Sequence, residues 1–147
     1  MSLVSIQNQI IKILQIQYKT RFKQKMSEEK KQRLLQNLIE ANSNNQLFYE
    51  TFQNGKIGYF FTLKKMYRGD FLENVYFVQD VYCHKDMRRK FYSKLKKQTS
   101  TQAKKDKIKR IVIEIFSDDF ASKKHFERKG TLTYIELLGN TQNLYIH

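Results

Sequence analysis

The chain has 147 residues, 40% of them hydrophobic and 14% aromatic, which suits one domain with an ordinary core and excludes a disordered chain. Its formal net charge of +14 favours polyanionic partners, and its apolar runs are too short to span a membrane. One cysteine excludes an internal disulfide framework and three scattered histidines do not have zinc-site spacing, so we expect an intracellular, metal-free protein in a reducing compartment.

The first 26 residues contain no acid, and their isoleucines recur at helical spacing among lysines. We predict a short strand over Leu3 to Ile6 and a helix from about Gln7 to Met26. The same composition is typical of a mitochondrial transit peptide, so the expected localisation is either cytoplasmic or mitochondrial. Ser27, with two glutamates after it, predicts the N-cap of a second helix that ends in the loop-forming run at 42–45.

From Leu47 the hydrophobic period changes to two, which predicts a β-hairpin with its second strand over Ile57 to Leu63. Its turn is Asn54-Gly55, because Asn-Gly supplies the positive φ angles of tight turns. The elements predicted after it are a loop around Gly69, a strand Asn74 to Cys83, a helix Asp86 to Lys105, a strand Ile108 to Phe116, a short helix capped by Asp118 or Asp119 and ending at Gly130, and a final hairpin of Leu132 to Leu138 and Gln142 to Ile146 around Gly139-Asn140.

This order of elements predicts a single α/β domain over residues 1–147, with a mixed central sheet flanked by helices. Hairpins give antiparallel neighbours, and the strand–helix–strand crossover gives parallel ones.

Three motifs within this order resemble the GNAT superfamily of N-acetyltransferases, over a match that runs from about Gln7 to the C-terminus. The stretch ETFQNGKIGY, from Glu50 to Tyr59, resembles a strand–turn–strand in which a short Asn-Gly turn precedes an aliphatic residue and a glycine. VYCHKDMR, from Val81 to Arg88, is similar to the family's strand end before an arginine. IVIEIFSDDFASKKHFERKG, from Ile111 to Gly130, resembles the later strand and helix.

The resemblance implies a GNAT-like fold and an acetyl-CoA site. In that family the strand ending near Cys83 holds acetyl-CoA through its backbone, and a glycine-rich loop opening the next helix holds the diphosphate. Here that loop runs from Arg88 to Ser93 and contains no glycine. The positions that the resemblance places on the cofactor are Val81, Cys83, Arg88, Arg89, Lys90, Phe91, Tyr92, Ser93, Asp119 and Phe126.

The glycine-free loop has two interpretations, both left open by the sequence. In one, the cations Arg88, Arg89 and Lys90 replace the backbone contacts by direct charge pairing with the diphosphate. In the other, the cofactor loop has decayed and these cations begin a solvated helix. Three positive charges oppose the macrodipole at a helix N-terminus, so their placement favours an anion there.

Candidate catalytic residues follow from the same resemblance. Phe126 stands where family members often have a tyrosine that protonates the departing thiolate, and Tyr92 or Tyr134 are alternatives for that role. The candidate bases for the substrate amine are the strand carboxylates Glu50, Asp80 and Glu114.

Two functions are therefore predicted as alternatives. The first is a catalytically impaired GNAT-fold subunit of a larger assembly, which uses no cofactor and contacts protein partners. The second is an active, acetyl-CoA-dependent N-acetyltransferase acting on a protein or small-molecule amine. A lysine-rich surface around Lys94 to Arg110 is either a solvated face or a contact with RNA or an acidic protein.

Overall fold

The structure is a computed structural model that describes residues 3–69, 72–108, 111–116, 132–138 and 141–146. These residues form three α-helices and six strands. The elements are α1 (Leu3–Phe22), α2 (Glu28–Ser43), β1 (Leu47–Thr51), β2 (Ile57–Arg68), β3 (Glu73–Cys83), a 3-10 turn (Lys85–Met87), α3 (Arg88–Lys105), β4 (Ile111–Phe116), β5 (Leu132–Leu138) and β6 (Thr141–Ile146). No helix in this part of the chain is long and apolar enough to cross a membrane.

The strands form one mixed sheet in the order β1-β2-β3-β4-β6-β5. β3 and β4 are parallel, with Tyr76 opposite Ile111 and Val78 opposite Ile113. The pairs β1–β2, β4–β6 and β5–β6 are antiparallel. The α/β class with a mixed sheet, predicted from the order of hairpins and crossovers, is confirmed.

The chain divides into two compact units, and β2, β3 and α3 each pass from one to the other. The first unit holds the residues up to Thr62 together with Asp80–Ser93. The second holds Leu63–Gln79 and the residues from Lys94 onward. The expectation of a single domain over residues 1–147 stays a prediction.

The first helix begins earlier than its sequence pattern indicates. Leu3 to Ile6 belong to α1, so the predicted short strand is wrong. Ile6, Ile10, Ile11 and Leu14 are all buried. A helix puts the neighbours Ile10 and Ile11 on the same side, whereas a strand would turn them to opposite faces. α1 ends at Phe22 because Lys23 adopts the left-handed conformation, with φ 56°.

The second helix begins as predicted. The backbone N–H of Lys30 donates to Ser27 Oγ at 3.2 Å, and Glu28 and Glu29 occupy the first turn. The helix ends at Ser43, inside the predicted loop-forming run.

The hairpin of β1 and β2 is confirmed, with Leu47 opposite Thr62 and Glu50 opposite Tyr59. Gly55 supplies the positive φ of the turn, at 82°. Asn54 has no positive φ, which differs from the expectation for an Asn-Gly pair; its Oδ1 instead accepts from the backbone N–H of Lys56 at 2.9 Å.

The core of the first unit covers both faces of β2. Phe60 belongs to a buried cluster with α1, α2 and β1 that contains Ile10 and Leu38. Tyr59 and Phe61, on the opposite face of the strand, lie against Phe91 of α3. In the second unit, Val75, Phe77 and Val112 form a separate buried cluster.

The later elements agree with the sequence except at their bounds. β4 runs over Ile111–Phe116. Ile108, the first residue of the predicted strand, instead closes α3, because its N–H donates to the Ala103 carbonyl at 2.8 Å. Residues 109–110 of the predicted strand lie outside the described residues. The strands of the final hairpin are confirmed as β5 and β6, and their predicted turn at 139–140 lies outside the described residues. The predicted short helix ending at Gly130 also lies outside them.

Candidate functional site

The candidate site lies in the first unit, where β3 ends and α3 begins. The His84 backbone N–H donates to the Gly58 carbonyl at 2.7 Å, which fixes the end of β3 against β2. His84 Nδ1 accepts from the Asp86 N–H at 3.1 Å, and the His84 carbonyl accepts from the Met87 N–H at 2.9 Å. These bonds form the 3-10 turn that leads directly into Arg88.

Two buried side chains anchor the start of α3. Met87 is 6% exposed and lies on Gly58, where a Cβ would come within 2.2 Å of its Sδ. Phe91 is 4% exposed, and its ring centroid lies 5.7 Å from that of Tyr59 and 6.0 Å from that of Phe61. The helix start is therefore held by core packing, in a stretch where the resemblance expects glycines.

The three cations at this helix start point to solvent and have different surroundings. Arg88, Arg89 and Lys90 are exposed, and the first turn of α3 contains no acid. Lys90 Nζ forms an ion pair with Glu50 Oε1 at 3.3 Å. Among the described carboxylates, none pairs with either arginine. The two arginines are therefore the cations available to an anion at this position.

Glu50 also contacts Tyr59, its direct partner across the hairpin. Burial, the negative charge of Glu50 and a hydrogen bond to Glu50 raise the Tyr59 pKa to about 12. The phenol is therefore protonated at neutral pH and donates to the carboxylate. Tyr59 was not among the predicted site residues, although the hairpin register alone places it opposite Glu50.

Asp80 has an unusual backbone conformation for a strand residue. Its φ is 49°, in the left-handed region, inside the otherwise extended β3. Burial raises the pKa of its carboxyl, and a hydrogen bond with Thr62 opposes that rise. A buried carboxyl with a raised pKa is the kind of group that accepts a proton in catalysis.

Cys83 is half-buried at the end of β3, in agreement with its interpretation as a strand residue. Burial raises the pKa of its thiol to about 11, against the lowering effect of the Arg88 charge. The thiol donates to the His84 carbonyl, with Sγ and O 3.3 Å apart. This thiol is protonated at neutral pH and is a poor nucleophile.

The backbone of Val81 is one of the groups predicted to hold acetyl-CoA. Its carbonyl accepts from Gln17 Nε2 of α1 across 3.5 Å. That distance lies at the limit for a hydrogen bond, so the contact is weak.

The structure brings together part of the predicted set. Glu50, Asp80, Val81, Cys83 and the residues from Arg88 to Ser93 all lie in the first unit. Within α3, Tyr92 is half-buried with its ring 5.1 Å from that of Phe91, and Ser93 is exposed. Tyr134 lies on β5 of the second unit, opposite Tyr145, and Glu114 lies on β4 opposite Asn143. Asp119 and Phe126 lie outside the described residues.

No group of three or more possible metal-ligating side chains occurs in the part of the chain that is described.

No protein-family model and no curated protein matches this sequence. Solved structures do match over almost the whole chain. A GNAT-family acetyltransferase from Staphylococcus aureus Mu50 is 18% identical with a TM-score of 0.65, over 96% of this chain and 91% of its own. The PaiA N-acetyltransferase from Thermoplasma acidophilum, in complex with coenzyme A, is 15% identical with a TM-score of 0.64, over 97% and 93%.

A GNAT-family acetyltransferase from Listeria monocytogenes is 6% identical with a TM-score of 0.60, over 97% of this chain and 87% of its own. Sequence identities this low support a shared fold and say nothing about activity or site residues. The strand order, the parallel β3–β4 pair and these matches together show that the chain has a GNAT-like acetyltransferase fold.

Proposed function

We propose that the protein binds acetyl-CoA at the start of α3 and transfers the acetyl group to an amine. The observation that carries this proposal is the exposed pair Arg88 and Arg89 at the amino end of an 18-residue helix, with no acid in its first turn. Helix N–H groups and the macrodipole favour an anion there. Arginine adds planar, charged donors that match phosphate oxygens.

The residues at this position fit a diphosphate, although they differ from a glycine-rich loop. Glycine lets the backbone approach phosphate oxygens, whereas a long arginine reaches them from a distance. Lys90 contributes less because its charge is already paired with Glu50. A coenzyme A complex is known for the Thermoplasma protein of the same fold, which supports the choice of anion.

Acetyl-CoA supplies an activated acyl group in its thioester. The amine nitrogen forms a bond to the acetyl carbon, the bond from that carbon to sulfur breaks, and the electron pair leaves with the sulfur. The amine must lose one proton, and Asp80 is the proposed acceptor because burial raises its pKa. Glu50 is less suited to that role because it already contacts both Lys90 and Tyr59.

A second candidate is a GNAT-fold scaffold that assembles with other proteins and turns over little acetyl-CoA. Phe91 favours it: a buried aromatic ring stands where the resemblance expects a glycine. A backbone held in this way cannot approach a diphosphate as a glycine loop does.

Isothermal titration of the full chain with acetyl-CoA tests the proposal. We expect measurable binding that weakens by about tenfold or more for each arginine lost in Arg88→Gln and Arg89→Gln, since a charged hydrogen bond contributes about 1.5–3 kcal/mol. The variant Lys64→Gln/Lys65→Gln removes the same charge from two exposed residues of β2 and is the matched control.

Release of the coenzyme A thiol, measured with acetyl-CoA and an amine present, distinguishes the acetyltransferase from the scaffold. Binding with thiol release supports the acetyltransferase, and binding without release on any amine supports the scaffold. If isothermal titration shows no heat of binding at millimolar acetyl-CoA, the proposed cofactor site is wrong.

A further inference from the structure

Between Lys94 and Lys105, one face of α3 carries four lysines and one hydroxyl residue, Thr101. Lys94, Lys97, Lys104 and Lys105, the lysine stripe, fall within an arc of about 100° over about 17 Å of helix. Leu95, Thr99 and Ala103 are buried and lie on the opposite side of the helix. In the stripe, Lys97, Lys104 and Lys105 are exposed and Lys94 is half-buried.

The positive charge of the stripe is not neutralised within its own helix. No Asp or Glu occurs between Arg88 and Lys105. The first acid after the helix is Asp106, and it already accepts a hydrogen bond from Tyr76 Oη. That bond and the charge of Asp106 add to burial in raising the Tyr76 pKa to about 12, so the carboxylate and the phenol form a local pair. Among the described carboxylates, none pairs with a lysine of the stripe, which leaves these lysines available for an external polyanion.

The residue types of the stripe favour nucleic acid over protein. Lysine is depleted from protein–protein interfaces, whose energetic centres are aromatic residues and arginine. The stripe contains no aromatic or aliphatic side chain. Lysines that neutralise phosphates supply most of the sequence-independent affinity for nucleic acid.

The same residues favour duplex DNA among nucleic acids. Single strands are held by stacking on aromatic rings, and the stripe has none. Duplex RNA is read partly through its 2′-hydroxyls. The hydroxyl on this face, that of Thr101, already donates to the Lys97 carbonyl at 2.8 Å. The stripe therefore offers a nucleic acid only contacts between its ammonium groups and the phosphates.

We propose that the lysine stripe of α3 binds the phosphate backbone of duplex DNA without reading its sequence. This binding is separate from the acetyl-CoA site and does not depend on it. Four phosphate contacts predict a slope of about −3.6 in the logarithm of affinity against the logarithm of salt concentration. Affinity should therefore fall by about 150-fold between about 50 and 200 mM salt.

Fluorescence anisotropy with a labelled DNA duplex tests this, using the full chain over a range of salt concentrations. The test variant is Lys94→Gln/Lys97→Gln/Lys104→Gln/Lys105→Gln. The control is Lys12→Gln/Lys19→Gln/Lys25→Gln/Lys56→Gln, four exposed lysines outside α3. Both variants lower the net charge of +14 by four. Thermal unfolding of each variant checks that it is folded.

We expect the stripe variant to lose most of the affinity and most of the salt slope, while the control changes affinity less than about threefold. Equal losses in both variants would show that net charge alone is responsible and would overturn the proposal. No binding at low salt would do the same. Tighter binding of single-stranded DNA, duplex RNA or poly-glutamate than of duplex DNA would contradict the choice of partner.

Discussion

Met87 of the 3-10 turn occupies the space where Gly58 of β2 would carry a side chain. A Cβ on Gly58 would come within 2.2 Å of Met87 Sδ and 2.7 Å of its Cε. The Gly58 carbonyl also accepts from the His84 N–H at 2.7 Å. One glycine thus sets how closely the end of β3 and the start of α3 approach the hairpin.

We expect Gly58→Ala to lower the free energy of unfolding by about 1–3 kcal/mol, because Met87 is buried and has little room to move. Urea unfolding measures the change. Gly69→Ala is the control, since a Cβ there meets nothing within 4 Å. In a Met87→Ala background the same Gly58→Ala change should cost less, and equal costs in both backgrounds would exclude the Gly58–Met87 contact as the cause.

Phe91 should behave as a core residue. Phe91→Ala removes ring contacts with Tyr59 and Phe61 and should cost about 3–5 kcal/mol in urea unfolding. Ser93→Ala, at an exposed position of the same helix, should change stability by less than about 0.5 kcal/mol. The contrary result would be a Phe91→Gly variant of unchanged stability that binds acetyl-CoA more tightly. It would show that the ring blocks the cofactor and does not stabilise the fold.

Asp80 should make stability depend on pH. Burial raises its pKa in the folded chain, so the folded state holds the proton more tightly than the unfolded state. Its contribution to stability is fully present below about pH 4, the unfolded pKa, and is lost as pH rises through the folded pKa. Asp80→Asn should remove this decline, which urea unfolding at several pH values measures.

Asp80→Asn should also lower kcat/KM for acetyl transfer by about 100-fold to 10,000-fold, as expected for loss of a general base. Glu40→Gln neutralises an exposed carboxylate of α2 and should affect neither measurement. A pH profile of stability that is unchanged in Asp80→Asn would contradict the burial of its carboxyl. Unchanged kcat/KM would exclude Asp80 as the base.

Glu50 should interact with Lys90 through an ion pair and with Tyr59 through a hydrogen bond at the same time. Glu50→Gln removes the charge that pairs with Lys90 Nζ at 3.3 Å, so a third cation becomes available beside Arg88 and Arg89. We expect acetyl-CoA to bind up to about fivefold more tightly, because a partly exposed ion pair contributes up to about 1 kcal/mol. Isothermal titration measures the gain.

The same variant should lower the Tyr59 pKa from about 12, since both the charge and the hydrogen bond of Glu50 contribute to that value. An NMR titration of isotope-labelled tyrosine follows this pKa. Glu40→Gln, an equal change on the exposed surface of α2, should alter neither quantity. If the Tyr59 pKa stays the same in Glu50→Gln, the two side chains do not interact as described.

Several features of this protein were determined by residues close together in the chain. The Ser27 cap needed only the residues up to Lys30. The Asn54-Gly55 turn closes the hairpin, and a register shift between Glu50 and Thr51 brings Glu50 opposite Tyr59. The basic, glycine-free start of α3 was equally plain from the sequence. Each of these depends on backbone chemistry that operates over a few residues.

Tertiary structure alone decided the rest. Whether Leu3 to Ile6 were strand or helix depended on the buried cluster that α1 joins. Gln9 of α1 bonds to both Gly55 and Ile57 at 3.0 Å, across more than 40 residues of sequence. The left-handed backbone of Asp80 and the place of Met87 on Gly58 have no local signal either. Such contacts arise where distant elements pack, and their energies depend on the shape of the partner, which the pattern of any single segment does not contain.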